Sequence, residues 1–467
     1  MAEHKSRIDM LRGDPRKSVM PLALPVMVTM VFTTLYNVVD GIWIAGLGRS
    51  ALAGVGIVTP LWMVVTGVSN GLAQGATSVI SRYAASDKQK AEKAAEHAIM
   101  IFIAGALLLT VLLLGTLRPF LNVCSVSSEA ALEAVRYSLP LFGGLLCFTL
   151  SCGLAGILRA EGDSKRPMYA ITTGVVLNGL LDPVFIYWLG WGTAGAAVST
   201  VVTSLLSALM MSYWIFVRRK AYLYIHLSRI LQRRYDMSVV RDVLGTGLPA
   251  SVELLMMSFA SFMFYAIIQH IGGDHGIAVY TSGYRLYQIT LMPVTSISLA
   301  SVAIVGTHYG LGNMSDVRRT HTYCCLYAML IAVAVTTLAV VFSHPLASLF
   351  GLATDDVQLI DDISRFIRIT AFCIPFLAVG LPSTFLYLGL GRGKRSLLWT
   401  TINEVVCCIP ATWLLGIVLG YGLSGVWFGF VLGRGVASVC DFLVARRFCN
   451  SLAVQEDVGC VQGNEVP

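Results

Sequence analysis

The sequence predicts an all-α polytopic membrane protein, with twelve transmembrane helices in two six-helix, pseudo-symmetric lobes. Three observations predict it. Of 467 residues, 56% are hydrophobic and 13% charged, against roughly 25% charged in a soluble protein. So little charge cannot cover a water-facing surface, which excludes a soluble globular enzyme; disorder needs the reverse composition. Twelve segments are long and apolar enough to cross a bilayer. The two halves of the chain also repeat each other, weakly but in order.

A spanning helix needs about 20 mostly apolar residues. Such segments fall near 19–46, 52–83, 94–117, 130–158, 167–189, 193–217, 243–271, 276–310, 321–342, 360–389, 396–419 and 422–445. With twelve spans the loops alternate sides. One side collects 26 of the 33 Lys and Arg, beginning with Lys5, Arg7, Arg12, Arg16 and Lys17; the other collects Arg49, Arg118, Arg136, Arg365 and Arg368. The remaining two, Arg285 and Arg434, sit inside spans. The positive-inside rule then places both termini in the cytosol, in a multi-pass protein of the cell membrane. Shifting the count by one span destroys this asymmetry. The basic residues are short loop clusters, which explains the net charge of +7 without a nucleic-acid partner. The apolar stretch behind the basic N-terminus runs too long for a signal-peptide core. Eleven cysteines are scattered with no CxxC pair and no zinc spacing, and read as small buried hydrophobes.

The repeat appears as four collinear matches. Leu24-Pro25 recurs as Leu248-Pro249, Ser81-Arg-Tyr83 as Thr307-His-Tyr309, Gly162-Asp-Ser-Lys-Arg166 as Gly391-Arg-Gly-Lys-Arg395, and Leu189-Gly-Trp-Gly-Thr-Ala-Gly195 as Leu419-Gly-Tyr-Gly-Leu-Ser-Gly425. The offset drifts only from 224 to 230. Six spans per unit make both units enter from the same side, a parallel repeat of the kind some transporters use. The expected organisation is a cytosolic segment 1–18, a first lobe 19–217, a cytosolic linker 218–242, a second lobe 243–447 and a cytosolic tail 448–467. Two lobes around a cleft point to alternating access.

Charges in hydrocarbon are expensive and mark function. Asp40 lies late in the first span, and Asp182 lies in the fifth. Asn178 is four residues before Asp182, on the same helix face. Thr200 follows in the sixth span. At 1.5 Å per residue, Asp182 is roughly 22 Å from the cytosolic start of its span, and Thr200 roughly 10 Å from the outer start of its own. These are similar depths, so two carboxylates, an amide and a hydroxyl share one level of the first lobe. Such hard oxygen ligands suit Na⁺ (a metal site of Asp40, Asn178, Asp182 and Thr200), and two carboxylates out of water suit a shared H⁺. By the repeat offsets, Asp40, Asn178, Asp182 and Thr200 correspond to Phe264, Cys408, Thr412 and Phe430. A network needed only as glue should recur in both lobes; this one does not.

Glu253 and Arg285 both land near the midplane, a spacing that allows them to pair, as do Glu404 and Arg434. Glu253 follows Pro249 and is the second functional candidate. Pro25 interrupts the hydrogen bonding of the first span about four turns before Asp40, a place for that helix to bend. Tyr36, Asn37 and Glu253 are candidate substrate contacts. No Walker loop appears, so this chain does not itself drive transport with ATP; no channel-filter, hydrolase or redox motif appears either.

The first-span stretch Leu35-Tyr-Asn-Val-Val-Asp-Gly-Ile-Trp-Ile44 resembles the signature of the multidrug and toxic compound extrusion (MATE) family. So do Asn178-x-x-x-Asp182-Pro183, Gly162-Asp-Ser-Lys165, Ala194-Gly-Ala-Ala197 and Val305-Gly-Thr-His-Tyr-Gly-Leu-Gly-Asn313. The resemblance, closest in the archaeal and DinF-like branch, covers nearly the whole chain. It implies a V-shaped, twelve-helix, secondary-active antiporter. Such a protein exports organic cationic or amphipathic drugs against Na⁺ or H⁺, without a cofactor and as a monomer in the lipid bilayer. It implies a coupling-cation site at Asp40, Asn178, Asp182 and Thr200, and bending at Pro25. The sequence departs from some branches in lacking an acid over 369–389. Glu253 stands where related sequences place glutamine. The alternative is a lipid-linked precursor flippase of the same superfamily, whose cavity should be strongly cationic; here the midplane offers only Arg285 and Arg434.

Overall fold

The structure is a computed structural model that describes residues 8–124, 127–218, 222–225, 236–351 and 356–463. Of the 26 basic residues counted on one side, Lys5, Arg7, Arg219, Lys220, Arg229, Arg233 and Arg234 lie outside the described residues, as do parts of the expected linker and tail.

Helices account for every expected span. In chain order they are α1 (Pro15–Ala45), α2 (Arg49–Ser86), α3 (Lys88–Val123) and α4 (Ser128–Gly143 and Leu145–Ala160, bent by 48°). Then follow α5 (Lys165–Pro183) and α6 (Gly192–Ser212). The helix Met237–Gly310 has 74 residues. At 1.5 Å per residue it would be about 110 Å long, far beyond a hydrocarbon core of about 30 Å. It breaks at Gly273, at φ 54° and ψ −147°, backbone that glycine adopts without a Cβ penalty. We therefore count it as two spans, α7 (237–272) and α8 (274–310). The second half continues with α9 (Met314–Val341), α10 (Val357–Ala371 and Cys373–Gly389, bent by 44°), α11 (Gly393–Val418) and α12 (Gly422–Gly463). This makes twelve among the described residues. α12 runs on as helix through most of the expected tail, and a short helix, Ser343–Gly351, precedes α10.

The repeat extends to backbone detail. α5 ends in a π-helical turn at Val184–Trp188, and α11 ends in one at Leu414–Val418, 230 residues later. The following turns use left-handed glycines at Gly190 and Gly192, and again at Gly420 and Gly422. Each glycine permits the sharp reversal that a β-carbon would strain.

The chain forms two compact units. Unit 1 contains Val28–Val252 and the described residues up to Leu11; unit 2 contains Arg12–Met27 and the chain from Glu253. The divisions fall inside α1 and α7, 225 residues apart, close to the repeat offset of 224 there. The core of unit 1 is a seam of alanines on α3 (Ala91, Ala94, Ala95, Ala98) against Ala76, Val79 and Ile80 of α2 and Leu154, Ala155 and Ile157 of α4. Small side chains let helices approach closely where hydrophobic burial alone gives no advantage over lipid. A Cβ at Gly156 would stand 2.8 Å from the Ala73 carbonyl oxygen. The cysteines are only partly the buried hydrophobes expected. Cys373 and Cys408 are buried, whereas Cys147, Cys152 and Cys407 are half-buried and Cys440 is exposed, which fits spans whose outer faces meet apolar solvent.

Candidate functional site: two carboxyls in unit 1

α5 carries Asn178 and Asp182 one turn apart, and both point into the unit, 2% and 0% exposed. The Asn178 amide Nδ2 donates to Ser199 Oγ of α6 at 2.6 Å and to Asp182 Oδ1 at 3.4 Å. Ser199 Oγ lies within 3.4 Å of the Asn178 carbonyl oxygen and also borders the Asp182 carboxyl. From α1, the half-buried Asp40 brings its carboxyl into hydrogen-bonding range of the Asp182 carboxyl. Tyr36, one turn earlier on the same face, shares a 3.2 Å hydrogen bond with Thr200 Oγ1, which itself donates to the Ala196 carbonyl oxygen at 3.1 Å. The Tyr137 phenol of α4 is close enough to feel both carboxylates.

The balance of donors and acceptors defines the chemistry. Asp182 Oδ2 and Asn178 Oδ1 are sealed from solvent with no partner at ordinary hydrogen-bond distance. The charge that acts on Asp40 is that of Asp182, and among the described residues no arginine or lysine bears on either group. Buried polar oxygens left unmet are costly, and two adjacent carboxylates repel. The arrangement invites a small cation.

The structure thus brings Asp40, Asn178 and Asp182 into direct contact. Thr200 joins through Tyr36. Asn37 is exposed, on another face of α1 from Tyr36 and Asp40. Pro25 lies within α1, whose helix runs through Pro21 and Pro25. Glu253 belongs to unit 2, where it accepts from Ser396 Oγ at 2.9 Å and Thr400 Oγ1 at 2.8 Å. It does not pair with Arg285, which is exposed; the hydroxyls of α11 satisfy it instead. Glu404 and Arg434 do pair, at 2.7 Å. Two members of the site, Ser199 and Tyr137, are absent from the sequence reading. A serine beside Thr200 and a tyrosine in an apolar helix carry no distinguishing signal; a polar stripe over 196–203 on α6 is the hint that was available.

A polytopic helical protein with charged side chains buried among its spans has the features of the class of membrane transporters. Family comparison makes this specific: the MatE family matches residues 25–184 and again 249–414, and the chain belongs to that family. The two matches start 224 residues apart and end 230 apart, which is the internal repeat. The chain is 26% identical to a probable multidrug resistance protein NorM of Thermotoga maritima over 428 residues, covering 89% of each. It is 22% identical to a FAD transporter of Shewanella oneidensis, covering 95% of this chain and 97% of that protein. A crystal structure of MATE in complex with MaL6 superposes with a TM-score of 0.92 at 32% identity, covering 96% of this chain and 99% of the other. The members of this family are transporters, not enzymes.

Proposed function

We propose that the protein is a secondary-active multidrug exporter of the cell membrane. It exchanges organic cationic or amphipathic compounds for Na⁺ or H⁺ by alternating access between a first lobe (19–217) and a second (243–447), with both termini cytosolic. Its coupling cation binds at Asp40, Asn178 and Asp182, with Thr200 attached through Tyr36. The observation that carries this reading is a pair of neighbouring carboxyls with two buried, unpartnered oxygens and, among the described residues, no basic side chain acting on them. The likeness to a multidrug resistance protein supports the choice of cargo. Cation binding neutralises the end of α1 at Asp40 and biases the helix that carries Pro25. Tyr36, Asn37 and Glu253 are the proposed cargo contacts.

Proteoliposomes preloaded with a fluorescent organic cation test the proposal, with Na⁺ and pH gradients imposed separately. One gradient should drive efflux. Asp40→Asn and Asp182→Asn should each reduce it at least about tenfold, about 1.4 kcal/mol of lost coupling. Wild-type rates in both variants would overturn the site assignment.

A further inference from the structure

Unit 2 holds buried carboxyls that the unit 1 site does not use. Asp441 of α12 is 3% exposed. Thr384 Oγ1 of α10 donates to its Oδ2 at 2.7 Å, while Oδ1 is sealed without a partner. Close packing creates the contact: a Cβ on Gly380 of α10 would stand 2.6 Å from Ser438 Cβ of α12, one turn before Thr384 and Asp441 respectively. Glu253 of α7, 8% exposed, is held by Ser396 and Thr400 of α11, and its charge acts on Asp441. Neither carboxyl forms an ion pair among the described residues. Among the described residues, the other titratable groups facing this cluster are the Tyr387 phenol of α10 and Cys325 of α9. Beyond them His321 of α9 bonds Ser383 Oγ at 2.9 Å and feels Arg446, and Arg395 bears on Tyr387.

The partners of the two carboxyls are hydroxyls. A guanidinium would fix a carboxylate in its ionised form. A serine or threonine hydroxyl donates to a carboxylate and accepts from a carboxylic acid equally well, so this cluster accommodates both protonation states. A proton removes the cost of a buried charge without the several oxygen ligands that a metal ion demands. We propose that Asp441 and Glu253 form a second ion site, a proton-binding pair that holds one exchangeable proton within unit 2. The proton comes from water; an O–H bond forms on Asp441 Oδ1 or on Glu253, and the same bond breaks on release. The site goes beyond the coupling cation of unit 1 and stands whether or not that reading holds.

Infrared difference spectroscopy of the full chain in lipid nanodiscs, titrated with pH in the absence of Na⁺, tests it. The wild type should show a protonated-carboxyl band that appears and disappears with pH. Asp441→Asn and Glu253→Gln should each lose it, and Asp40→Asn should keep it. Thr384→Val should retain the band at a changed frequency, because the carboxyl loses a hydrogen bond; this variant also serves if Asp441→Asn does not fold. A band unchanged in Asp441→Asn, or untouched by Thr384→Val, overturns the proposal, as does one that responds to added Na⁺ rather than to pH. Failure of the unit 1 reading would show instead as unimpaired transport by Asp40→Asn and Asp182→Asn.

Discussion

Asp40, Asn178, Asp182 and Thr200 of unit 1 correspond by the repeat to Phe264, Cys408, Thr412 and Phe430 of unit 2, and those four also converge. The Phe264 and Phe430 rings meet edge to face with centroids 5.6 Å apart, and Cys408 Sγ lies 3.7 Å from the Phe430 carbonyl oxygen. Thr412 Oγ1 donates to the Cys408 carbonyl oxygen. The same meeting of three helices is built twice, once from unmet oxygens and once from aromatic packing. In unit 2 the charge sits one turn away, as Glu404 with Arg434, whose guanidinium covers the Phe430 ring at 4.3 Å. There the charge is compensated by protein; in unit 1 it is not. Helix placement therefore belongs to the ancestral repeat, and the uncompensated carboxyls at this particular meeting of helices to substitutions made in unit 1.

The comparison breaks most visibly in stability. Arg434 and Glu404 are 6% and 5% exposed, and removing one member of a buried pair costs about 3–5 kcal/mol. Arg434→Ala should therefore destabilise strongly in thermal or denaturant unfolding of the lipid-solubilised protein. Replacing both Glu404 and Arg434 by methionine should restore most of the loss. Asp182→Asn removes an uncompensated charge and should change stability by less than about 1 kcal/mol. Equal losses for Arg434→Ala and Asp182→Asn would mean that the two clusters do not differ as described.

A second contrast lies in the turns that start α5 and α11. Glu161 precedes the Gly162 turn, whereas Leu390 holds the matching place before Gly391. Glu161 accepts the backbone N–H groups of Tyr222 at 2.9 Å and Leu223 at 3.1 Å. Burial pushes its carboxyl from 4.5 up to about 7, against the pull of those donors and Arg166 and with a further push from Asp163. The folded protein then keeps a proton that the unfolded chain gives up above about pH 4.5. Stability should fall as pH rises from about 4.5 to about 7 and level off beyond, with a slope of up to about 1.4 kcal/mol per pH unit. Unfolding measured across that window should lose this slope in Glu161→Gln. A slope that survives the substitution assigns it elsewhere.

Much of this architecture was legible in the chain. Apolar length and loop charge give the twelve spans, and Ile271-Gly-Gly273 marks where α7 ends. Asp40, Asn178 and Asp182 stand out because carboxylates and amides are rare in hydrocarbon. The bends of α4 and α10 and the π-helical turns were not legible, since they arise from packing between helices. Asp441 escaped notice for a different reason. It lies five residues before Arg446, so sequence alone reads it as a charge at a span's end, and only the contact with α10 buries it. Midplane depth says nothing of azimuth, so the spacing that allows Glu253 to pair with Arg285 does not decide its partner: the hydroxyls of α11 share its face.

The finest test separates two adjacent residues. Sequence depth favours Thr200 as the α6 member of the proposed cation site, whereas the Asn178 amide donates to the neighbouring Ser199. The two side chains point about 100° apart around α6. Ser199 Oγ accepts from Asn178 at 2.6 Å inside the unit, while Thr200 Oγ1 shares a 3.2 Å bond with Tyr36 and donates to the Ala196 carbonyl oxygen of its own helix. Ser199→Ala leaves the Asn178 amide without its shorter bond and should cost about 1 kcal/mol, together with a weaker response of stability to the coupling cation. Thr200→Ala breaks a half-buried hydroxyl contact and should cost about half as much. Unfolding midpoints of both variants, with and without Na⁺ and across pH, measure the difference. If Thr200→Ala has the larger effect on cation dependence, α6 presents Thr200 to the ion, and the Asn178–Ser199 bond belongs to packing.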